Sequence, residues 1–219
     1  MDKQQRWENS IPSIAEGLHK SILNKGYGEI SDFLPHSALN DVTNFIKEIK
    51  VKTGSGDIRL NEDKTIGTCI ENLMSPNVKD LMHEILRNSG IYLDKSKYYA
   101  RVRAKLSKSC GESTYKYHFD RSYLTVTLPI LVPSKKDGGA LEFIPNIRNK
   151  TSKKFIDRLR TKLCESKLAK YYFSKTSKHQ PVFYKTNQAF FFHGNNSLHA
   201  TGKMSEKAKR IVVLLHSGN

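Results

Sequence analysis

Cysteine is scarce in this chain of 219 residues: Cys69, Cys110 and Cys164 are the three, with no metal-ligand spacing among them. That count excludes a disulfide-stapled secreted fold and a cysteine-based zinc site, and leads us to expect free thiols in a reducing compartment. Long apolar runs are also missing. Nothing approaches the roughly 20 residues a membrane-spanning helix needs, so no span is expected. Residues 1–9 are polar and lack the apolar centre of a secretion signal. A soluble, cytoplasmic protein without internal repeats is the expectation. Acidic residues are few: 21 Asp and Glu stand against 37 Lys and Arg, giving a formal charge of +16 and a pI near 9.7. Such an excess points to an anionic substrate, partner or surface and carries no information about fold. Hydrophobic residues still make up 37%, enough for a folded domain with a sizeable core.

The chemistry is concentrated in Tyr115-Lys116-Tyr117-His118-Phe119-Asp120. Residues two apart on a strand point to one face, so His118 and Asp120 stand side by side. The bland alternative is a surface strand with two polar residues facing out, which the aromatic neighbours argue against. His199 supplies a third ligand. Two His and one carboxylate on a triangular face, with open positions opposite, suit a non-haem Fe(II). His193 is the rival third ligand. It is followed by Lys203 in a polar turn, whereas His199 is followed by Arg210 at the head of the apolar run Ile211-Val212-Val213-Leu214-Leu215, where an Arg can be held rigidly. The second pair is preferred on that ground. Alternation from Arg210 turns Val212, Leu214 and His216 to one side. There His216 either touches substrate or is a satisfied core residue.

The spacing predicts helices over 10–25 (Ile14, Leu18, Ile22), after Pro35 (Leu39, Val42, Ile46, Ile49) and from Ser75-Pro76 to Ser89-Gly90 (Val78, Leu81, Ile85). Residues 29–34 read as a strand and 52–63 as a loop. From 97 to 106 the pattern alternates: Ala100, Val102, Ala104 and Leu106 share one face, and Tyr99, Arg101, Arg103 and Lys105 the other. That polar face looks either into a barrel or into solvent. Further strands are predicted over 114–120, 123–132, 140–144, 188–192, from His199, and over 210–216. Residues 148–185 carry twelve Lys or Arg and two acids, Asp157 and Glu165, with Phe155, Leu159, Leu163 and Leu168 at helical spacing and Tyr171, Tyr172 and Phe173 after them. This segment reads as a basic helical insertion, serving either anion recognition or only a solvated surface. Helices followed by many short strands indicate an α+β, mainly β protein: a double-stranded β-helix (jelly roll, cupin-like) backed by N-terminal helices.

The ordered set of HxD, distal His and strand-borne Arg resembles the Fe(II)/2-oxoglutarate-dependent dioxygenases, in particular phytanoyl-CoA-dioxygenase-like and prolyl-hydroxylase-like members. The run Asp137-Gly138-Gly139-Ala140-Leu141 is similar to that family's Gly-Gly-x-Leu strand. The resemblance covers about residue 98 to the C-terminus. It implies one dioxygenase domain over 1–219, with 1–96 as support, 97–147 and 186–219 as the core, and 148–185 inserted. It further implies Fe(II) on His118, Asp120 and His199, with 2-oxoglutarate chelating the iron through its 2-oxo acid end. The distal carboxylate of 2-oxoglutarate would lie on Arg210, with a hydrogen bond from Thr201. O2 would be consumed, with release of succinate and CO2 and hydroxylation of a C–H bond. Related halogenases carry a small residue where Asp120 stands, so oxygen insertion is the implied reaction. Val212 departs from the pattern, since several relatives have a Ser there. An anionic small molecule or saccharide is the expected substrate. The alternative is a nucleic-acid-directed oxygenase or binding protein using 148–185, although no recognised nucleic-acid-binding motif is present.

Overall fold

A computed structural model describes residues 10–53, 57–106, 117–148 and 180–218. Pro12 sits in the first turn of α1 (Ile11–Lys25), where a missing N–H costs nothing. The helix buries Ile11, Ala15, Leu18 and Ile22, and Ile14 is only partly covered. Gly26 ends it at φ 88°. A side chain there would also run into Pro145, whose Cβ would lie 2.0 Å from an added Cβ. Strand β1 (Tyr27–Ile30) follows directly, earlier than the expected 29–34. Helix α2 (His36–Thr53) buries Leu39, Val42 and Ile46.

The predicted loop over 52–63 is corrected by β2 (Asp57–Leu60), a short edge strand. Its Ile58 and Leu60 alternate inward, a two-residue signal hidden by the glycines and charges around it. One turn of helix, α3 (Cys69–Asn72), capped by the Thr68 hydroxyl, precedes α4 (Pro76–Asn88). Helix α4 buries Val78, Leu81, Met82, Ile85 and Leu86, each contributing roughly 1.5–3 kcal/mol of apolar burial. Cys69 is a free thiol; Cys110 and Cys164 lie outside the described residues.

The remaining strands are β3 (Tyr98–Lys105), β4 (Thr125–Leu131), β5 (Leu141–Ile144), β6 (Gln180–Val182), β7 (Ala189–Phe192), β8 (Leu198–Thr201) and β9 (Arg210–Ser217). Six form one sheet in the order β1-β7-β4-β9-β3-β2, and three form another, β6-β5-β8. All the pairings are antiparallel. The N-terminal third is thus more than helical support, because β1 and β2 close both edges of the larger sheet.

The helices cover the outer face of that sheet, packing on Ala100, Val102, Val126, Leu128, Val213 and Leu215 among others. Its inner face meets the smaller sheet through Phe143, Phe190 and Phe192, whose rings pack edge-on or tilted at 5.2–5.8 Å. Two antiparallel sheets closed over a shared interior form a double-stranded β-helix. The basic segment lies outside the described residues from 149 to 179, so its expected helix is not described. Among the described residues no helix is long and apolar enough to cross a membrane.

Candidate metal centre and its cavity

Of the expected strand over 114–120, the described part, 117–120, belongs to neither sheet. It meets β8 through one bridge, His118 to His199, closed by two N–H···O bonds of 3.0 Å. The Asp120 N–H donates to the Gly194 carbonyl at 3.0 Å. Two-residue spacing still sets His118 and Asp120 on one side. His118 Nε2 lies 3.7 Å from Asp120 Oδ1, and His199 Nε2 lies 3.4 Å from Asp120 Oδ2. The two imidazole centroids are 4.5 Å apart. One donor atom from each of the three residues lies within 4.8 Å of the others. Ligands on one ion with bonds of about 2.1 Å can be up to about 4 Å apart, and each carboxylate–imidazole separation, one to each Asp120 oxygen, falls within that range.

The Asp120 carboxylate and the imidazoles beside it stabilise each other's charge. Burial opposes ionisation of Asp120, but His199 foremost, then His216 and His118, hold its carboxyl well below the usual carboxylate range. For His199, burial works against the proton, yet the Asp120 carboxylate and the Ser197 carbonyl outweigh it and its pKa is raised. His199 Nδ1 lies 3.1 Å from that carbonyl. With a proton held on Nδ1, the Nε2 lone pair is the one left for a metal.

Three residues absent from the sequence-level site set the carboxylate in place. The Thr125 hydroxyl donates to Asp120 Oδ2 at 2.6 Å. Ser122 Oγ lies 3.0 Å from Thr125 Oγ1 and 2.9 Å from His216 Nδ1. Gly194 leaves room for this network, since an added Cβ would lie 2.3 Å from Thr125 Oγ1 and 2.9 Å from Asp120 Cβ. Thr125 reads in the sequence as one more β-branched strand residue and Gly194 as an ordinary turn glycine. Their role depends on a long-range approach that no spacing reveals.

His118, Asp120 and His199 line a cavity of about 360 Å³ between the sheets. The open question about β3 is answered by the same cavity, since Tyr99, Arg101, Arg103 and Lys105 all line it. So do Arg210, Val212, Leu214 and His216, the face expected from alternation. Arg210 is 8% exposed. Its Nη1 donates to the Thr201 hydroxyl at 2.7 Å, and its guanidinium sits 5.4 Å from the centre of the Tyr184 ring. Tyr184 is a further residue the sequence reading passed over, because the short stretch around it, residues 181–187, shows no periodic pattern. Burial pushes its hydroxyl up to about 12, against the opposing charge of Arg210. The rival His193 faces away from the cavity lining: its Nε2 lies 3.3 Å from Ser89 Oγ, behind the large sheet. The glycine pair 138–139 adopts φ 79° and 81° and passes so close to the Lys203 carbonyl that a Cβ on Gly138 would sit 2.1 Å from its oxygen.

At pH 7 His216 is neutral in the folded chain, and it gains its proton only at acid pH. Burial, with Arg101, His199 and Arg103 adding to it against Asp120, pulls its pKa from 6.5 to about 4. The unfolded chain therefore binds more protons between those values, so the contribution present at pH 7 is lost as pH falls through 6.5 to about 4 and levels off below. The expected loss is up to about 1.4 kcal/mol per pH unit. Urea unfolding of EDTA-treated protein at pH 7 and pH 5 should show it, and His216→Asn should flatten it. Identical pH slopes for the two proteins would refute the assignment.

Neither a family model nor a curated protein sequence matches the chain. Solved structures do, through the fold. A prolyl 4-hydroxylase from Phytophthora capsici superposes with a TM-score of 0.64 at 13% identity, covering 99% of this chain and 65% of that one. This chain thus spans about two thirds of that protein. A Trichoplax adhaerens prolyl hydroxylase, solved with a hypoxia-inducible-factor degradation-domain peptide, gives 0.63 at 14% identity over 99% and 94% of the two chains. HygX from Streptomyces hygroscopicus, solved with nickel and 2-oxoglutarate, gives 0.62 at 10% identity over 91% and 84%. The protein shares the fold of these structures, a double-stranded β-helix.

Proposed function

We propose that the protein is an Fe(II)- and 2-oxoglutarate-dependent dioxygenase that hydroxylates a C–H bond of an anionic small molecule or saccharide, releasing succinate and CO2. The observation that supports this most is the convergence of His118, Asp120 and His199 on a cavity that also holds the Arg210–Thr201 pair. A buried carboxylate held in its ionised form beside two imidazoles fits a divalent cation. In this reading His118 and His199 would hold Fe(II) through Nε2, and Asp120 through a carboxylate oxygen. Bound iron, with 2-oxoglutarate and O2, supplies the oxidising chemistry.

The chain's own residues do the positioning. Thr125 anchors one Asp120 oxygen by donating to it, which fixes the direction of the other. Arg210 offers a planar, permanently charged fork to the distal carboxylate of 2-oxoglutarate, and Thr201 holds that fork and presents its hydroxyl beside it. The apolar side chains Leu141 and Phe192 line the same cavity and keep water from part of it. Asp120 occupies a position that halide chemistry would leave open, which supports oxygen insertion. The cytoplasmic setting rests on the sparse cysteines.

The test is anaerobic addition of 2-oxoglutarate to Fe(II)-loaded protein, followed by aeration and succinate measurement across a panel of anionic metabolites and saccharides. A visible metal-to-ligand absorption band and substrate-stimulated succinate are expected. Absence of both would overturn the reading.

A further inference from the structure

Behind the Asp120 carboxylate lies a line of buried polar side chains whose protons can be counted. The β4–β9 register sets Thr125 opposite His216. Ser122 joins them from the bend that leads from Asp120 into β4. Ser122, Thr125 and His216 are 1%, 1% and 3% exposed. Buried polar atoms this close need a proton between each pair, because two facing lone pairs repel and leave both groups unsatisfied. Tyr99, opposite His216 on β3, packs its ring 5.2 Å from the imidazole at a tilt of 33°, which restrains the plane of the ring.

The direction of each bond follows from one fixed end. Asp120 is ionised and can only accept, so the Thr125 hydroxyl gives its single proton to Oδ2 at 2.6 Å. Thr125 Oγ1 can then only accept from its other neighbours, Ser122 Oγ at 3.0 Å and His216 Nδ1 at 3.3 Å. Suppose the His216 proton sat on Nε2. The one Ser122 proton could serve either Nδ1 or Thr125, and two of the three contacts among these residues would set lone pair against lone pair. With the proton on Nδ1, every close pair is served. His216 donates to Ser122 Oγ at 2.9 Å and partly to Thr125, Ser122 donates to Thr125, and Thr125 donates to Asp120.

We infer that His216 is a positioning residue for the Asp120 carboxylate: fixed as its Nδ1–H tautomer, it heads a one-way chain of hydrogen bonds through Ser122 and Thr125 that ends on Asp120. Each donation polarises the next hydroxyl, so the last bond, the one that sets the rotation of the carboxylate, is strengthened. Without the donor at its head, Thr125 is no longer obliged to point its proton at Asp120. The assignment has a second consequence. Among the described residues the imidazole makes its hydrogen bonds through Nδ1, so Nε2 carries no proton and is the acceptor that His216 offers to the cavity it lines. The inference rests on the metal reading for its effect on ion binding, but the tautomer can be measured without metal.

The experiment has two readouts on the full chain. The first is a long-range proton–nitrogen-15 spectrum of labelled, EDTA-treated protein at pH 7, with the His216 signals identified by their loss in His216→Asn. A protonated Nδ1 and a bare Nε2 are expected, and a proton on Nε2 overturns the inference. The second is Zn(II) affinity, measured by competition with a chromophoric chelator. Direct partners of a ligand typically cost about ten- to hundredfold in metal affinity, and His216 stands further back, so His216→Leu should weaken Zn(II) about three- to tenfold. His216→Asn keeps a carboxamide N–H near the place of Nδ1 and should stay within about twofold of wild type. Wild-type affinity in His216→Leu, or an equal loss in both variants, overturns the positioning role, the latter because it marks a packing effect. Circular dichroism checks the fold. If His216→Leu does not fold, Ser122→Ala, which breaks the chain one step later, takes its place with the same expected loss. If the metal reading alone fails, wild type does not bind Zn(II), and the spectrum in EDTA still decides the tautomer and the direction of the chain.

Discussion

Asp120→Ala is expected to abolish Fe(II) retention and succinate release together. Asp120 is the one carboxylate in the candidate triad, and its oxygens approach His118 and His199 at 3.7 and 3.4 Å. Without it, two neutral imidazoles face a divalent ion with no compensating charge. Partners that merely hold a ligand typically cost about ten- to hundredfold in metal affinity when removed, and loss of a ligand should cost more. The same change removes the charge that raises His199 and leaves the Thr125 hydroxyl without its acceptor on Asp120, so some loss of stability is also expected. His118→Ala separates the two effects. Its side chain is 48% exposed, so truncation costs little packing, yet iron should still be lost. Metal content after desalting and succinate yield, read beside the circular dichroism of each variant, decide the matter. Stoichiometric iron and wild-type turnover in both variants would remove the metal assignment.

What the sequence could and could not disclose follows from the range of the forces involved. The two-residue and four-residue periodicities of β3, β9, α1 and α4 are local consequences of burying one face, and they were legible. The inward turn of Val212, Leu214 and His216 followed from the same rule. Strand β2 was not legible, because a four-residue edge strand owes its existence to pairing with β3 rather than to its own composition. The meeting of His118 with His199 was inferred from the types and order of residues. The bridge that joins their backbones has no local signature. Thr125, Gly194 and Tyr184 escaped notice because each acts through a contact far from it in sequence or through the space it leaves. Whether the polar face of β3 met water or a cavity could not be settled by alternation, which fixes only that the two faces differ. The answer came from the second sheet, β6-β5-β8, closing over that face.

Arg210→Ala is expected to raise the 2-oxoglutarate requirement steeply while leaving iron content at the wild-type level. Arg210 is 8% exposed, is fixed by its 2.7 Å bond to Thr201 and lies over the Tyr184 ring. An anion paired there loses most of its hydration, so removing the fork should cost roughly 2–5 kcal/mol. At about 1.4 kcal/mol per tenfold, that is a weakening from about thirtyfold to a few thousandfold. The low end is the better expectation, because Lys105 is directly opposite Arg210 across β3 and β9 and keeps one cation in place. Its ammonium is held by the Ser205 carbonyl at 3.1 Å and cannot reproduce a bidentate fork. Arg210→Lys should accordingly recover part of the loss, about tenfold weaker than wild type. The measurement is an anaerobic titration of Fe(II)-loaded protein with 2-oxoglutarate, followed by the metal-to-ligand absorption band. Equal affinity in wild type and Arg210→Ala, with iron bound in both, would take the carboxylate away from Arg210 and assign it to Lys105, which the Lys105→Met variant would then have to confirm.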